Sequence, residues 1–412
     1  MLQISAIRSL TLGAAAFVAL SGGEALAQSR EQIRIVGSST VAPFASAVAE
    51  EFGRTSPYRT PIVEQTGTGG GFKLFCGGVG TNYPDISNAS RPIKQSEIAL
   101  CRSNGVTGII EIRIGSDGIV LANDKRGPRL QLSLREIYLA LGAYVPVDGR
   151  LTTNPHQTWS DIRGDLPDIQ IEVLGPPPTS GTRDAFNELA MGGGAEHVTD
   201  EVSIRIGLPA SCREGNKGCQ QAKAAGKKQW VDPTADDTDF TDIETVTFAT
   251  MGEMADEMPE IFESIAHFVR EDGPYVEAGE SDNLIVQKLM ATSETYGIFG
   301  FSFLDQNLDK LHAADVAKEG ETYVKPRFET IESGDYPISR SLFFYVKKQH
   351  IGSIPGIKDY MLEFLSDRQL GTPEQFFADG ALTERGLVPV TGEVRKRMID
   401  RAKNLTTMDT GS

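Results

Sequence analysis

Histidine is scarce in this chain, with five in 412 residues. None lies near a cysteine, and their scattered spacing supplies no metal-ligand pattern. The Gly-x-Ser-x-Gly nucleophile elbow is missing. So is the Gly-Lys-Ser/Thr ending of a nucleotide-binding phosphate loop, since Gly71 is followed by Phe72-Lys73-Leu74. Beyond residue 27 there is no apolar run of about 18 residues, which excludes a membrane-spanning helix there. Carboxylates are plentiful, yet nothing in their spacing pairs two of them for acid–base work. Neither an enzyme nor a cofactor is expected.

What is present begins with an address. Arg8 supplies a basic start, residues 10–20 form an apolar run too short to span a bilayer, and Ala25-Leu26-Ala27 is a small-residue cleavage site. Residues 1–27 are expected to be a cleaved signal peptide. The first cysteine is Cys76, so a lipid anchor near the cleavage site is not expected. The exported remainder exceeds what one hydrophobic core usually serves, which predicts two lobes. Forty bases against 56 acids leave a net charge of −16. That surface repels nucleic-acid phosphates and anionic membranes, so any bound anion must be held by a local device.

Cys76, Cys101, Cys212 and Cys219 make an even set in an exported chain, which predicts two disulfides. Proximity favours Cys76 with Cys101 and Cys212 with Cys219, although four cysteines allow three pairings. Short β-branched runs alternate with helical patterns, the signature of an α/β fold. Strands are expected at residues 33–36, 108–112, 118–122 and 342–346. A helix follows the first, with Val41, Phe44, Ala45, Val48 and Phe52 on its apolar face and Pro43 in its first turn. Residues 213–263 look like an insertion: a Lys-rich then Asp-rich solvated loop, followed by Met251, Met254 and Met258 as a helix-packing stripe.

Three Gly/Ser/Thr-rich loops each precede a helix: Gly37-Ser38-Ser39-Thr40-Val41, Thr66-Gly67-Thr68-Gly69-Gly70-Gly71 and Thr179-Ser180-Gly181-Thr182-Arg183. A helix start leaves backbone N–H groups without partners and carries partial positive charge. Glycine admits close approach, and Ser and Thr add hydroxyl donors, so such an end suits an anion. One loop alone is an ordinary cap. Three in one exported chain suggest several helix starts converging on one small anion.

The segment Ile35-Val36-Gly37-Ser38-Ser39-Thr40-Val41-Ala42-Pro43-Phe44 resembles the opening of phosphate-binding proteins of phosphate ABC transporters. The likeness continues through residues 67–72, 85–92 and 117–120, then through Thr179-Ser180-Gly181-Thr182-Arg183, residues 296–300, 336–340 and 386–389. It implies a two-lobed periplasmic binding protein fold of type 2, each lobe a mixed sheet flanked by helices, with the ligand in the inter-lobe cleft. Crossing segments would fall near residues 115–117 and 337–341, giving lobe one as residues 30–116 plus 340–402 and lobe two as 117–339. The resemblance implies a ligand set of Ser39, Thr40 and Val41 from the first loop, Thr68 and Gly69 from the second, and Ser90 and Arg91. Ser180, Gly181, Thr182 and Arg183 would come from the opposite lobe. It also implies a monomer that hands phosphate ion to permease subunits in the inner membrane.

One departure bears on selectivity. Some relatives place an Asp after the Ala-Ser where this chain has Arg91, and that Asp accepts a hydrogen bond from protonated phosphate. Asp117 is the candidate substitute, because a desolvated carboxylate without a donor partner rejects fully ionised sulfate. Sulfate, molybdate or tungstate binding is the alternative reading. An exported phosphatase is a second.

Overall fold

The computed structural model describes residues 30–212, 216–279, 281–372 and 380–409. The expected signal peptide lies outside the described residues. Strand β1 (Arg34–Gly37) leads into helix α1 (Ala42–Thr55), followed by β2 (Ile62–Gln65), α2 (Thr68–Phe75), β3 (Ile86–Ala89), α3 (Gln95–Ser103) and the long β4 (Ile109–Asp124). The middle of the chain contributes β5 (Val173–Gly175), α4 (Gly181–Phe186), β6 (Tyr275–Glu277) and β7 (Tyr296–Gly300). Strand β8 (Ser339–Lys347) then returns the chain to its start. α1 forms where its 3.6-residue period demands, burying Phe44, Ala45, Val48 and Phe52, with Pro43 in its first turn.

These strands form one hydrogen-bonded path, β6-β5-β7-β4-β8-β3-β1-β2. β1 is parallel to β2 and β3, whereas β8 is antiparallel to both β3 and β4. Ile35, Phe52, Ile114, Leu342 and Phe344 belong to one core, and Ile119, Trp159, Phe186, Phe299 and Ile338 to another. β4 and β8 thus cross from one core to the other, changing between Ile114 and Ile119 and between Ile338 and Leu342. Each lobe carries a mixed sheet, and the two sheets are continuous through these strands.

The expected strands at residues 108–112 and 118–122 prove to be one strand of 16 residues. The glycines between them serve close approach, not a turn. A Cβ on Gly115 would fall 2.3 Å from the Val388 carbonyl oxygen, and one on Gly118 would fall 2.7 Å from Ile331 Cδ1. Asp117 sits in extended strand opposite Arg340.

Both favoured disulfides form, Cys76–Cys101 and Cys212–Cys219. Of the stretch expected as a solvated loop, residues 213–215 lie outside the described residues, and much of the rest takes regular structure. Helix Lys217–Ala225 is capped by Asn216 and ended by left-handed Gly226, and Phe240–Phe248 pairs antiparallel with Val202–Pro209. Charge composition hid a bulged strand whose apolar side chains fall irregularly, with Ile243 at the bulge and Val246 opposite Ile204. Met251 and Met254 are fully buried, so the methionine stripe is packing, as expected.

Candidate functional site

The first loop is shaped by Gly37. Its φ of +124° favours glycine, and a Cβ there would fall 2.2 Å from the Asn88 carbonyl oxygen. Gly37→Ala is expected to destabilise the fold by about 2 kcal/mol or more, read as a lower denaturation midpoint. The second loop meets the first through another close approach: a Cβ on Gly71 of α2 would lie 2.5 Å from Gly37 Cα. Thr68, at the start of α2, is tied to the end of β3, with its Oγ1 3.1 Å from Ser90 Oγ and accepting from the Ser90 N–H at 3.2 Å.

The third loop arrives from the other core. Ser180 caps α4 by accepting from the Thr182 N–H at 3.2 Å. A Cβ on Gly181 would stand 3.6 Å from Thr40 Cα, so the backbones of the first and third loops abut. Ser39 Oγ donates to Asp184 at 3.4 Å, a second contact between the lobes.

Two adjoining cavities share Thr40 as a wall. One of about 260 Å³ is lined by Ser39, Thr40, Thr68, Gly69, Ser90 and Arg91 of the expected set, with Ser38 and Gly67 beside them. Asp184, Glu188 and Arg340 complete it. The other, about 210 Å³, is lined by Asp117, Ser180, Gly181 and Thr182. Val41 is fully buried, and its N–H takes Ser38 Oγ at 3.4 Å.

The charged groups do not sit as the sequence suggested. Arg91 makes a fork onto Glu97, at 2.9 and 2.8 Å, so its charge is already matched. Arg183 lines neither cavity: its guanidinium lies 4.2 Å over the Tyr275 ring and donates to the Pro176 carbonyl at 3.2 Å. Its Nε is buried without a partner.

Arg340, which sequence reasoning missed, holds the centre. Its Nη2 donates to Thr40 Oγ1 at 2.5 Å, its Nη1 donates to Glu188, and its Nε is 4.0 Å from Asp117. Only 7% of its side chain is exposed. Burial pushes the Asp117 carboxyl above its ordinary range, opposed by Arg340 and the Gly118 N–H. Asp184 and Glu188, four residues apart on one helical face, also went unremarked. Arg340 lies in the expected crossing segment, and that position was the available signal. Hydroxyl and N–H donors around a small space, buried at Ser38, Thr40 and Ser90 and joined by buried Arg340, suit an oxyanion.

The description "PBP superfamily domain" matches residues 22–368. The chain is 28% identical over 327 residues to Protein SphX of Synechococcus elongatus, covering 79% of this chain and 71% of that protein. It is 24% identical over 364 residues to the phosphate-binding protein PstS of Staphylococcus saprophyticus, covering 87% and 84% respectively. A solved structure, a possible phosphate binding protein from Planctomyces limnophilus, has a TM-score of 0.61 and 24% identity over 90% of this chain and 98% of that one. Matched over most of its length and sharing that architecture, the chain belongs to the PBP superfamily and has its two-lobed type 2 periplasmic-binding fold.

Proposed function

We propose that the chain is the exported substrate-binding component of an ABC transporter, capturing inorganic phosphate between its lobes and delivering it to the permease. Lobe one is residues 30–116 plus 340–402 and lobe two residues 117–339, with the hinge where β4 and β8 cross. The observation that carries this reading is the cavity of about 260 Å³, where hydroxyls from separate segments of lobe one meet a buried arginine and residues of lobe two. The relative named as phosphate-binding supports the choice of anion.

In this reading Ser39, Thr40, Thr68 and Ser90 donate hydroxyls, Gly69 offers a backbone N–H group, and Arg340 supplies the charge, while Val41, buried behind the loop, holds its shape through Ser38. Ser180, Gly181 and Thr182 close from the opposite side. Arg91 and Arg183 act as positioning groups, held by Glu97 and Tyr275 respectively. A ligand touching both lobes favours the closed arrangement over the open one. The chain works as a monomer in the periplasm, binds no nucleic acid and catalyses nothing. No described helix is long and apolar enough to cross a membrane, in keeping with that role.

Calorimetric titration after removal of endogenous ligand tests the assignment. Heat with phosphate and arsenate is expected. Heat with sulfate or molybdate alone would transfer the reading to another oxyanion, and no heat with any of them would end it. Incubation with a phosphomonoester and divalent metals is expected to show no turnover. Asp117→Asn is expected to narrow the preference for phosphate over sulfate by roughly tenfold, because protonated phosphate can donate its O–H to a carboxylate and fully ionised sulfate cannot. Unchanged selectivity would remove Asp117 from that role.

A further inference from the structure

Residues 66–108 break with the acidity of the rest of the chain. They contain two acids, Asp85 and Glu97, against four bases, Lys73, Arg91, Lys94 and Arg102. Both acids are already committed. Glu97 pairs with Arg91 at 2.8 Å, and fully buried Asp85 meets Arg30 and His350 at 2.6 Å each. Lys73, Lys94 and Arg102 are exposed.

The same stretch supplies four of the ten exposed large apolar side chains among the described residues: Leu74 (43%), Val79 (43%), Tyr83 (36%) and Leu100 (39%). Leu74, Val79 and Tyr83 flank Cys76 along the chain and Leu100 precedes Cys101, and the two cysteines are joined in a disulfide. Leu74 lies in the last turn of α2 and Leu100 on α3, while Val79 and Tyr83 ride on the glycine-rich loop between α2 and β3.

Lys347, Arg30 and His350 pin that loop from beneath. Lys347 Nζ donates to the Gly78 carbonyl at 2.6 Å, and Arg30 Nη2 donates to the Tyr83 carbonyl at 3.2 Å. His350 Nε2 accepts from the Gly80 N–H at 2.9 Å, which leaves its Nδ1 to donate to Asp85. Lys347 is fully buried between the Phe75 and Tyr83 rings, at 4.9 and 5.5 Å, and desolvation lowers its pKa to about 8. Burying such groups is costly, and apolar replacements often stabilise a fold as well or better. None of them lines the anion cavity. Their evident effect is to hold an exposed loop, with Val79 and Tyr83 facing water, in one shape. Apolar surface presented that way marks a contact site.

We propose that this face, with Leu74, Val79, Tyr83 and Leu100 at its centre, is where lobe one docks on the permease. The partner it fits presents apolar side chains within an acidic rim, complementary to Lys73 and Lys94. α2 begins at the anion cavity and carries Leu74 in its last turn, so one helix links the ligand to the docking face. The proposal rests on the transport reading above.

The test uses the mature protein carrying Val79→Glu and Leu100→Glu, added to its transporter in proteoliposomes. Phosphate affinity is expected to stay within about twofold of the unaltered protein, while transport per phosphate-loaded receptor falls at least about tenfold, as for hot-spot residues of an interface. Lys347→Met is a second variant that leaves the face's chemistry intact. It is expected to speed amide exchange at residues 78–83 and to lower transport with phosphate affinity preserved. Normal transport per loaded receptor in both variants would overturn the docking face alone. So would a dimer of the unaltered protein, seen by light scattering, that Val79→Glu and Leu100→Glu abolish, because the face would then join two copies. An unaltered protein that binds no phosphate would instead overturn the transport reading.

Discussion

Arg340→Met is expected to weaken phosphate binding by about 100- to 1,000-fold, the range for removing one member of a buried, hydrogen-bonded charge pair. Titration calorimetry checks it. The side chain reaches Thr40 in lobe one and Glu188 in lobe two, with Asp117 4.0 Å away. In so enclosed a place each charge-assisted hydrogen bond is worth more than in water. Arg340→Lys keeps the charge and loses the planar fork, so an intermediate loss of about tenfold is expected. Should Arg340→Met bind normally while Arg183→Met does not, the central cation would be Arg183.

The same substitution carries a pH signature. Burial raises the folded-state pKa of Asp117, so the folded protein holds that proton more tightly than the unfolded chain does. This term stabilises the fold below the unfolded carboxylate range and is lost as pH rises through the folded value. Removing Arg340 removes the cation that opposes the shift, and the loss of stability with rising pH should steepen. Denaturant midpoints across the acidic range would show it.

Local causes were legible in the sequence. α1 announced itself by period, and the three loops by small and hydroxyl residues ahead of helices, because caps and helix starts depend on neighbours a few residues away. Pairings across long separations were not legible. Arg340 became central only through the register that sets it against Asp117. The continuity of β4 through Gly115 and Gly118 was hidden because Val388 and Ile331, which press against them, lie far along the chain. Arg91 is a partial exception. Its partner Glu97 sits in the first turn of α3, six residues on, where an acid is favoured by the helix dipole, and that proximity was open to inspection.

Glu188→Gln is expected to raise sulfate affinity by at least about tenfold while phosphate affinity changes less, so the gap between the two anions narrows. Glu188 and Asp184 line the same cavity as the hydroxyl donors, and Glu188 is paired with Arg340. An incoming anion meets a like charge there, a repulsion that the half-exposed side chain and its pairing with Arg340 hold below the roughly 4 kcal/mol of two unit charges 4 Å apart at an effective dielectric constant near 20. Protonated phosphate can turn that repulsion into a hydrogen bond by donating its O–H to the carboxylate. Sulfate has no proton to give at neutral pH and bears the full cost. Glutamine removes the charge and offers an N–H donor, so sulfate gains most. Competition titrations of both anions against the variant decide between two roles. An equal gain for both would mean that Glu188 only competes with the ligand for Arg340, leaving selection to Asp117 or Asp184. A gain confined to sulfate would make Glu188 the acceptor that relatives place after the Ala-Ser, supplied here from the opposite lobe, so that selection and closure depend on the same contact.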